Sequence, residues 1–511
     1  MPGGGGRWTR REVLGRAGVV VAGAATLGVA GDATPTRSPA ASQVQRFVSR
    51  PDLSPPVVSV TRAASLPAAD DARYILLTPG QGGPGQGGAM ILDSRGRLVW
   101  FFPATTTKRV MNLNIQAYRG QPVLTWFQGK DITGHGEGVG VIADTSYRTI
   151  ATVRAGNGLM ADLHEFILTP QGTALITAYR ERPADLSSAG GPVSGTALSG
   201  VAQEIDVATG KLLFEWDSLD HVAVAESYLR YVSSGGENLT KGTGSQPFDY
   251  FHINSIATVP GGDLIISARN TSAAYQVSRA DGQVRWRLGG RKTSFAMGPG
   301  TEFYWQHDVR PDPAGGLSLF DDGASPAHEQ NSRALLLSLD TTAMRTTLRR
   351  QYIHPGTTLL ANAMGNTQLL PDGEVFVGWG SEPNFTLFAA DGRVLLDGTL
   401  PANDTSYRAH LADWTGHPTE PPAIAARARP HGRTSVYASW NGATGVRSWT
   451  MLAGSSASSL AAVSYAPSSG FETVLTAGHP GPYFAAEARD SRGRVMARSR
   501  TVRLGTTRPG M

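Results

Sequence analysis

A two-part unit repeated along most of the chain limits its fold more than any other feature. The first part is a hairpin with a Pro/Gly turn, as in LHEFILTPQGTALITAY, HINSIATVPGGDLIISAR, QHDVRPDPAGGLSLF and GNTQLLPDGEVFVGW. The second is a strand pair, often around an acidic-Gly turn: LDSRGRLVWFF, IADTSYRTIATV, IDVATGKLLFEW, VSRADGQVRWRL, LSLDTTAMRTTLRRQY and LFAADGRVLLDG. Short runs of β-branched, leucine and aromatic residues bounded by such turns read as strands, because Gly and Pro supply the φ angles of tight reversals. Four short strands at a period of roughly 50–55 residues are the signature of stacked blades in a closed circle. The expectation is an all-β protein in which residues 71–415 form a six-bladed β-propeller. Five or seven blades are the alternatives, since the second copy is degenerate.

The rest of the chain is organised around this region. An insertion rich in Gly and Ser between Arg180 and Tyr250 reads as a lid or a surface loop. After Trp414 a Pro-rich linker leads into further alternating strands. Residues 416–511 are expected to form a small fibronectin type III-like β-sandwich, with Trp440 or Trp449 turned inward. At the other end, Arg7, Arg10 and Arg11 precede an apolar, small-residue stretch, and Thr9–Leu14 (TRREVL) resembles a twin-arginine signal. Residues 1–33 are therefore expected to be a signal peptide handed to the Tat export machinery, giving an extracellular, cell-surface or periplasmic protein. A retained membrane anchor is the other reading, and Arg16 interrupts it. The Pro/Ser/Ala composition of residues 34–70 reads as a disordered linker.

The chain has no cysteine, which excludes disulfides, thiolate metal sites, a thiol nucleophile and a lipidated cysteine anchor. The net charge of +5 comes without a Lys/Arg block interleaved with aromatics, so nucleic acid is not an expected partner. A weakly positive site for an anionic small molecule fits the charge better.

Three of the repeated hairpins open on histidines, His164, His252 and His307, and the fourth carries Asn366 and Thr367 instead. If Gly261 and Gly262 form a two-residue loop, Arg269 lies opposite Asn254, on a face shared with His252. His164, Asn254 and His307 each stand six residues before a turn proline, and Thr367 stands four before Pro371, which keeps the parity. With the first strand of each hairpin innermost, these side chains converge at the mouth of a central channel. Asp308 points away from His307 on a regular strand and is a poor orienting partner for it. Three converging histidines also suggest a metal, but Arg269 among them disfavours a cation, and no metal is expected.

The segments FDYFHINSI, ISAR, WQHDVR and GNTQLLPDG resemble the bacterial, PAPS-independent arylsulfotransferase family across roughly residues 70–415. The resemblance implies a six-bladed propeller with a histidine nucleophile that takes a sulfuryl group from an aryl sulfate donor and passes it to a phenolic acceptor. It implies His307 as nucleophile, His252, Asn254 and Arg269 as oxyanion binders, and His164 and Thr367, next to Asn366, completing the pocket. No PAPS site and no dissociable cofactor are expected. The chain lacks the cysteine pair of enterobacterial relatives and has its extra sandwich at the C-terminus. The rival reading is a non-catalytic secreted propeller that binds glycans or proteins.

Overall fold

The computed structural model describes residues 43–80, 82–231, 247–478, 481–505 and 507–508. The leader of residues 1–33, the beginning of the linker, most of the second Gly/Ser run of the insertion and His479 lie outside the described residues. The fold is all-β; the single α-helix among the described residues is the turn Ala68–Asp71.

From residue 74 onward the chain makes antiparallel four-stranded meanders. They begin at Arg109–Tyr118, Ala161–Leu168, Ile253–Thr258, His307–Asp312 and Asn366–Leu369. The first sheet differs: Tyr74–Leu77, Gly88–Asp93 and Leu98–Pro103 are completed by His410–Ala412 from the far end of the region. The edge strands His410–Ala412, Arg109–Tyr118, Ala161–Leu168, Ile253–Thr258, His307–Asp312 and Asn366–Leu369 abut in that order. Asn366 then donates to the Ala409 carbonyl (2.8 Å) and accepts from its N–H (2.9 Å), so the series returns on itself. Successive edge strands have no continuous backbone ladder between them, and amide side chains replace it. Gln116 bonds Phe166 and Leu168, and Gln368 bonds both backbone groups of Leu411, which satisfies polar groups buried from water.

Two expectations need correction. The linker is not disordered throughout: Ser59–Arg62 pairs with Val394–Thr399, and Leu53 and Val58 are buried with Phe385 and Leu396. The short apolar run VVSV outweighs the Pro/Ser/Ala composition around it. The insertion is also only partly a loop. Thr173–Ala184 and Gly195–Asp206 form one long hairpin, and Val222 and Val224 pack into the core beside Tyr250 and Phe251.

Residues beyond 416 form two antiparallel sheets over one core of Ile424, Val436, Trp449, Met451 and Phe484. Trp449 is the inward tryptophan; Trp440 packs at the edge and donates to the Glu420 carbonyl. This unit is bonded to the meanders. Asn441 pairs with both backbone groups of Phe101, and Tyr147 donates to the Gly442 carbonyl at 2.7 Å.

Candidate active site

The inner ends of three edge strands carry a register shift. It falls between Met111 and Asn114, between Ile253 and Ser255, and between His307 and Arg310. Asn112, His252 and Asp308 at these shifts have φ of 58°, 55° and 54°. Such bulges re-aim side chains, so period-two counting fails here. The loop is also one residue longer than the expected Gly261–Gly262 pair, since the Val259 N–H bonds the Asp263 carbonyl around Pro260, Gly261 and Gly262. Loop and bulge together set Arg269 opposite His252, to whose carbonyl it donates its N–H at 2.9 Å, rather than Asn254.

The structure brings His164, His252, His307 and Arg269 together. The rings of His164 and His252 meet edge to face at 4.8 Å. Tyr407, which the sequence reasoning missed, lies 5.5 Å from the His164 ring and 6.4 Å from the His307 ring. Tyr179 stands 6.1 Å from His252 and 5.1 Å from His135 on the rim.

Each histidine has an aspartate on Nδ1: Asp162 with His164 at 2.7 Å, Asp249 with His252 at 2.5 Å, and Asp322 with His307 at 2.7 Å. A carboxylate there holds the proton on Nδ1 and leaves Nε2 for chemistry. The Met364 N–H donates to His307 Nε2 at 3.3 Å, which fixes the same tautomer. Burial, then Arg269, His164 and His252, hold His307 well below the usual histidine range, so it is a neutral imidazole near pH 7. Burial also lowers His252, against the pull of Asp249. Burial would raise Asp162, but His164, the Gly136 N–H and the Thr177 hydroxyl hold it at about 2. Burial pushes Asp322 up against the attraction of Arg269. The three histidines differ in access: the His252 side chain is 14% exposed, against 4% for His164 and 1% for His307.

Arg269 is fixed by the Asn270 side chain (3.0 Å) and the Asn362 carbonyl (2.8 Å), with its guanidinium 5.1 Å from the Trp305 ring centroid. Its Nε–H has no partner among the described residues. A held guanidinium with a free N–H beside three imidazoles is suited to anionic oxygens. The other candidates do not join this group. Asn254 donates to the Gln306 carbonyl at 2.7 Å, tying its strand to that of His307. Thr367 donates to the Leu319 carbonyl, and both amide atoms of Asn366 are used on Ala409.

Beneath the histidines lies a buried ionic layer made by the next residues in the chain. Glu165 follows His164, Asp308 follows His307, and Arg408 follows Tyr407. Arg408 donates to Glu165 at 2.9 Å and lies 3.4 Å from Asp308, and Arg310 bonds both acids. Asp308 thus points away from its histidine, as expected. His410 is buried beside this layer, and burial, aided by Arg408 and Arg310 against the pull of Asp308, holds it down at about 3.

The profile of the family Arylsulfotransferase (ASST) matches residues 114–400. No curated protein matches the chain. Among solved structures, a protein of unknown function from Bacteroides caccae is 12% identical, with 67% of this chain and 99% of that one covered and a TM-score of 0.40. A Lactobacillus plantarum protein is 15% identical over 84% and 97% of the two chains, with a TM-score of 0.34. A catalytically inactive variant of virginiamycin B lyase from Staphylococcus aureus, solved with quinupristin, is 8% identical over 73% and 96%, with a TM-score of 0.30.

Proposed function

The chain belongs to the arylsulfotransferase (ASST) family, and from that premise we propose that it moves a sulfuryl group from a phenolic sulfate ester to a phenolic acceptor through a covalent sulfo-histidine at His307, without PAPS. The observation that carries this reading is the set of three converging histidines, each with an aspartate on Nδ1, beside the held guanidinium of Arg269. His307 Nε2 attacks sulfur; the N–S bond forms as the bond from sulfur to the aryl oxygen breaks, and the departing oxygen takes a proton from His252. In the second half-reaction the acceptor phenol returns a proton to His252, its oxygen attacks sulfur, and the N–S bond breaks. The transition state is loose, with charge on the equatorial oxygens, so cationic donors such as Arg269 dominate the stabilisation. The weak Met364 contact to Nε2 yields to the attacking geometry. In the same reading the meanders are six blades of a propeller with the histidines at its axis, the C-terminal sandwich is fibronectin type III-like, and the TRREVL leader directs export through the Tat machinery.

The test is transfer from 4-nitrophenyl sulfate to a phenol, in wild type and in His307→Ala and His307→Asn, with neither PAPS nor metal added. Wild type is expected to turn over and to show a transient sulfuryl adduct by intact mass, absent from both variants. Equal activity in the variants removes His307 as nucleophile. No transfer from any aryl sulfate favours a ligand-binding role instead.

A further inference from the structure

Away from the histidines, a group of carboxylates sits where the first and last sheets of the repeated region meet. Asp70 belongs to the helical turn Ala68–Asp71, just before the strand Tyr74–Leu77. Asp372 and Glu374 lie in the turn that precedes Val375–Gly378. One oxygen from each of the three lies within 4.8 Å of the other two. The side chains of Asp70 and Glu374 are 1% and 9% exposed, and among the described residues no N–H or hydroxyl donates to Asp70 Oδ2 or Glu374 Oε2. Buried carboxylate oxygens without a donor are costly unless positive charge lies between them.

Arg73 supplies part of that charge. Its Nη1 is 2.5 Å from Asp70 Oδ1 and 3.6 Å from Glu374 Oε2, and its Nη2 is 3.4 Å from Asp372 Oδ2. With all three carboxylates ionised, one guanidinium leaves two negative charges uncompensated, and nearby Asp413 adds to them. Because Arg73 occupies Oδ1 of Asp70, Oδ2 stays open. An all-oxygen, all-carboxylate donor set suits a hard divalent cation, and the 45% exposed Asp372 side chain leaves a side for water ligands.

We propose that Asp70, Asp372 and Glu374 bind a divalent cation of the calcium type, which staples the turn before the first sheet to the last sheet. A proton is the competing occupant: burial, then Asp70 and Asp372, push Glu374 up to about 7. Cation and proton therefore contend for the same oxygens. The site shares no residue with the histidine cluster, so it stands or falls apart from the transfer reaction.

The experiment titrates CaCl2 into the full-length protein near neutral pH, reading heat of binding and thermal midpoint, with Asp372→Asn and Glu374→Gln in parallel. A cation bound only by the folded state raises the midpoint as it saturates. Saturable binding is expected at about 10⁻⁴–10⁻³ M, weakened about tenfold or more in each variant through loss of ligand charge. Because Asp372 is exposed, its variant keeps the result readable should Glu374→Gln disturb the fold. No heat and no shift up to about 10 mM Ca²⁺ overturns the proposal. So does an equal shift in wild type and both variants, and so does stabilisation by acid alone, which would mean a shared proton only.

Discussion

Arg408 Nη1 donates to Glu165 Oε1 at 2.9 Å beneath the histidines, although 243 residues of chain separate the two. Glu165 also receives Arg310, so one carboxylate joins three edges of the assembly. Its side chain is fully buried, and removing one partner strands the other charges in a poorly solvated layer. Glu165→Ala is expected to cost about 3–5 kcal/mol in chemical denaturation, whereas Glu165→Gln, which keeps an acceptor, costs less. A loss below about 1 kcal/mol would show that water reaches the layer.

Asp322→Asn tests the tautomer of His307. An amide NH2 in place of the carboxylate donates to Nδ1, drives the ring proton to Nε2, and removes the attacking lone pair. Transfer is expected to fall by about 10³–10⁴ with the fold intact by circular dichroism. The sulfuryl adduct should vanish with it. Retention of full activity would separate the aspartate from the chemistry.

The role of His252 is visible in pH dependence. Its pKa lies below the ordinary value of 6.5, set by burial against Asp249, with His164 and Arg269 lowering it further. As proton donor to the departing oxygen it works only when protonated. The donor kcat/KM for phenyl sulfate, a poor leaving group, is therefore expected to fall as pH rises through a value below 6.5. With 4-nitrophenyl sulfate, whose phenolate leaves unaided, this limb should be absent. Asp249 favours the protonated ring, so Asp249→Asn should move the limb to lower pH. An identical limb for both donors would point to another group.

The repeated hairpins and their turns were legible because alternation and Gly/Pro punctuation follow directly from strand geometry. His164, His252, His307 and Arg269 were found for that reason. The bulges were not legible: an extra residue leaves no mark in composition, and the bulge together with a turn of three residues, not two, moved Arg269 from Asn254 to His252. Asn366 and Thr367 occupy the corresponding place in the repeat, yet direct their polar atoms at backbone. Asp322 escaped because it lies just past the end of the adjoining strand, Gly316–Asp321. Asp162 and Asp249 were within reach, standing two and three residues before their histidines.

The join to the C-terminal sandwich depends on Gly442. Its φ is +92°, and a Cβ there would lie 2.3 Å from the Tyr147 ring, which stacks on Trp100. Gly442→Ala is expected to lower stability by about 1–3 kcal/mol through backbone strain, plus the clash. Faster limited proteolysis between residues 414 and 423 is the accompanying readout, and an unchanged cleavage rate would show that the join tolerates the shift.

The pairing of His410–Ala412 with Tyr74–Leu77 also orders events in time. The first sheet to leave the ribosome cannot be completed until one of the last strands of the repeated region has been made. Until then its edge stays unpaired, and Tyr407 and Arg408 have not reached the histidines. Such distant pairing makes folding slow and concerted. Chain termination before residue 407 would therefore be expected to yield a protein without the assembled site, rather than a weakened enzyme.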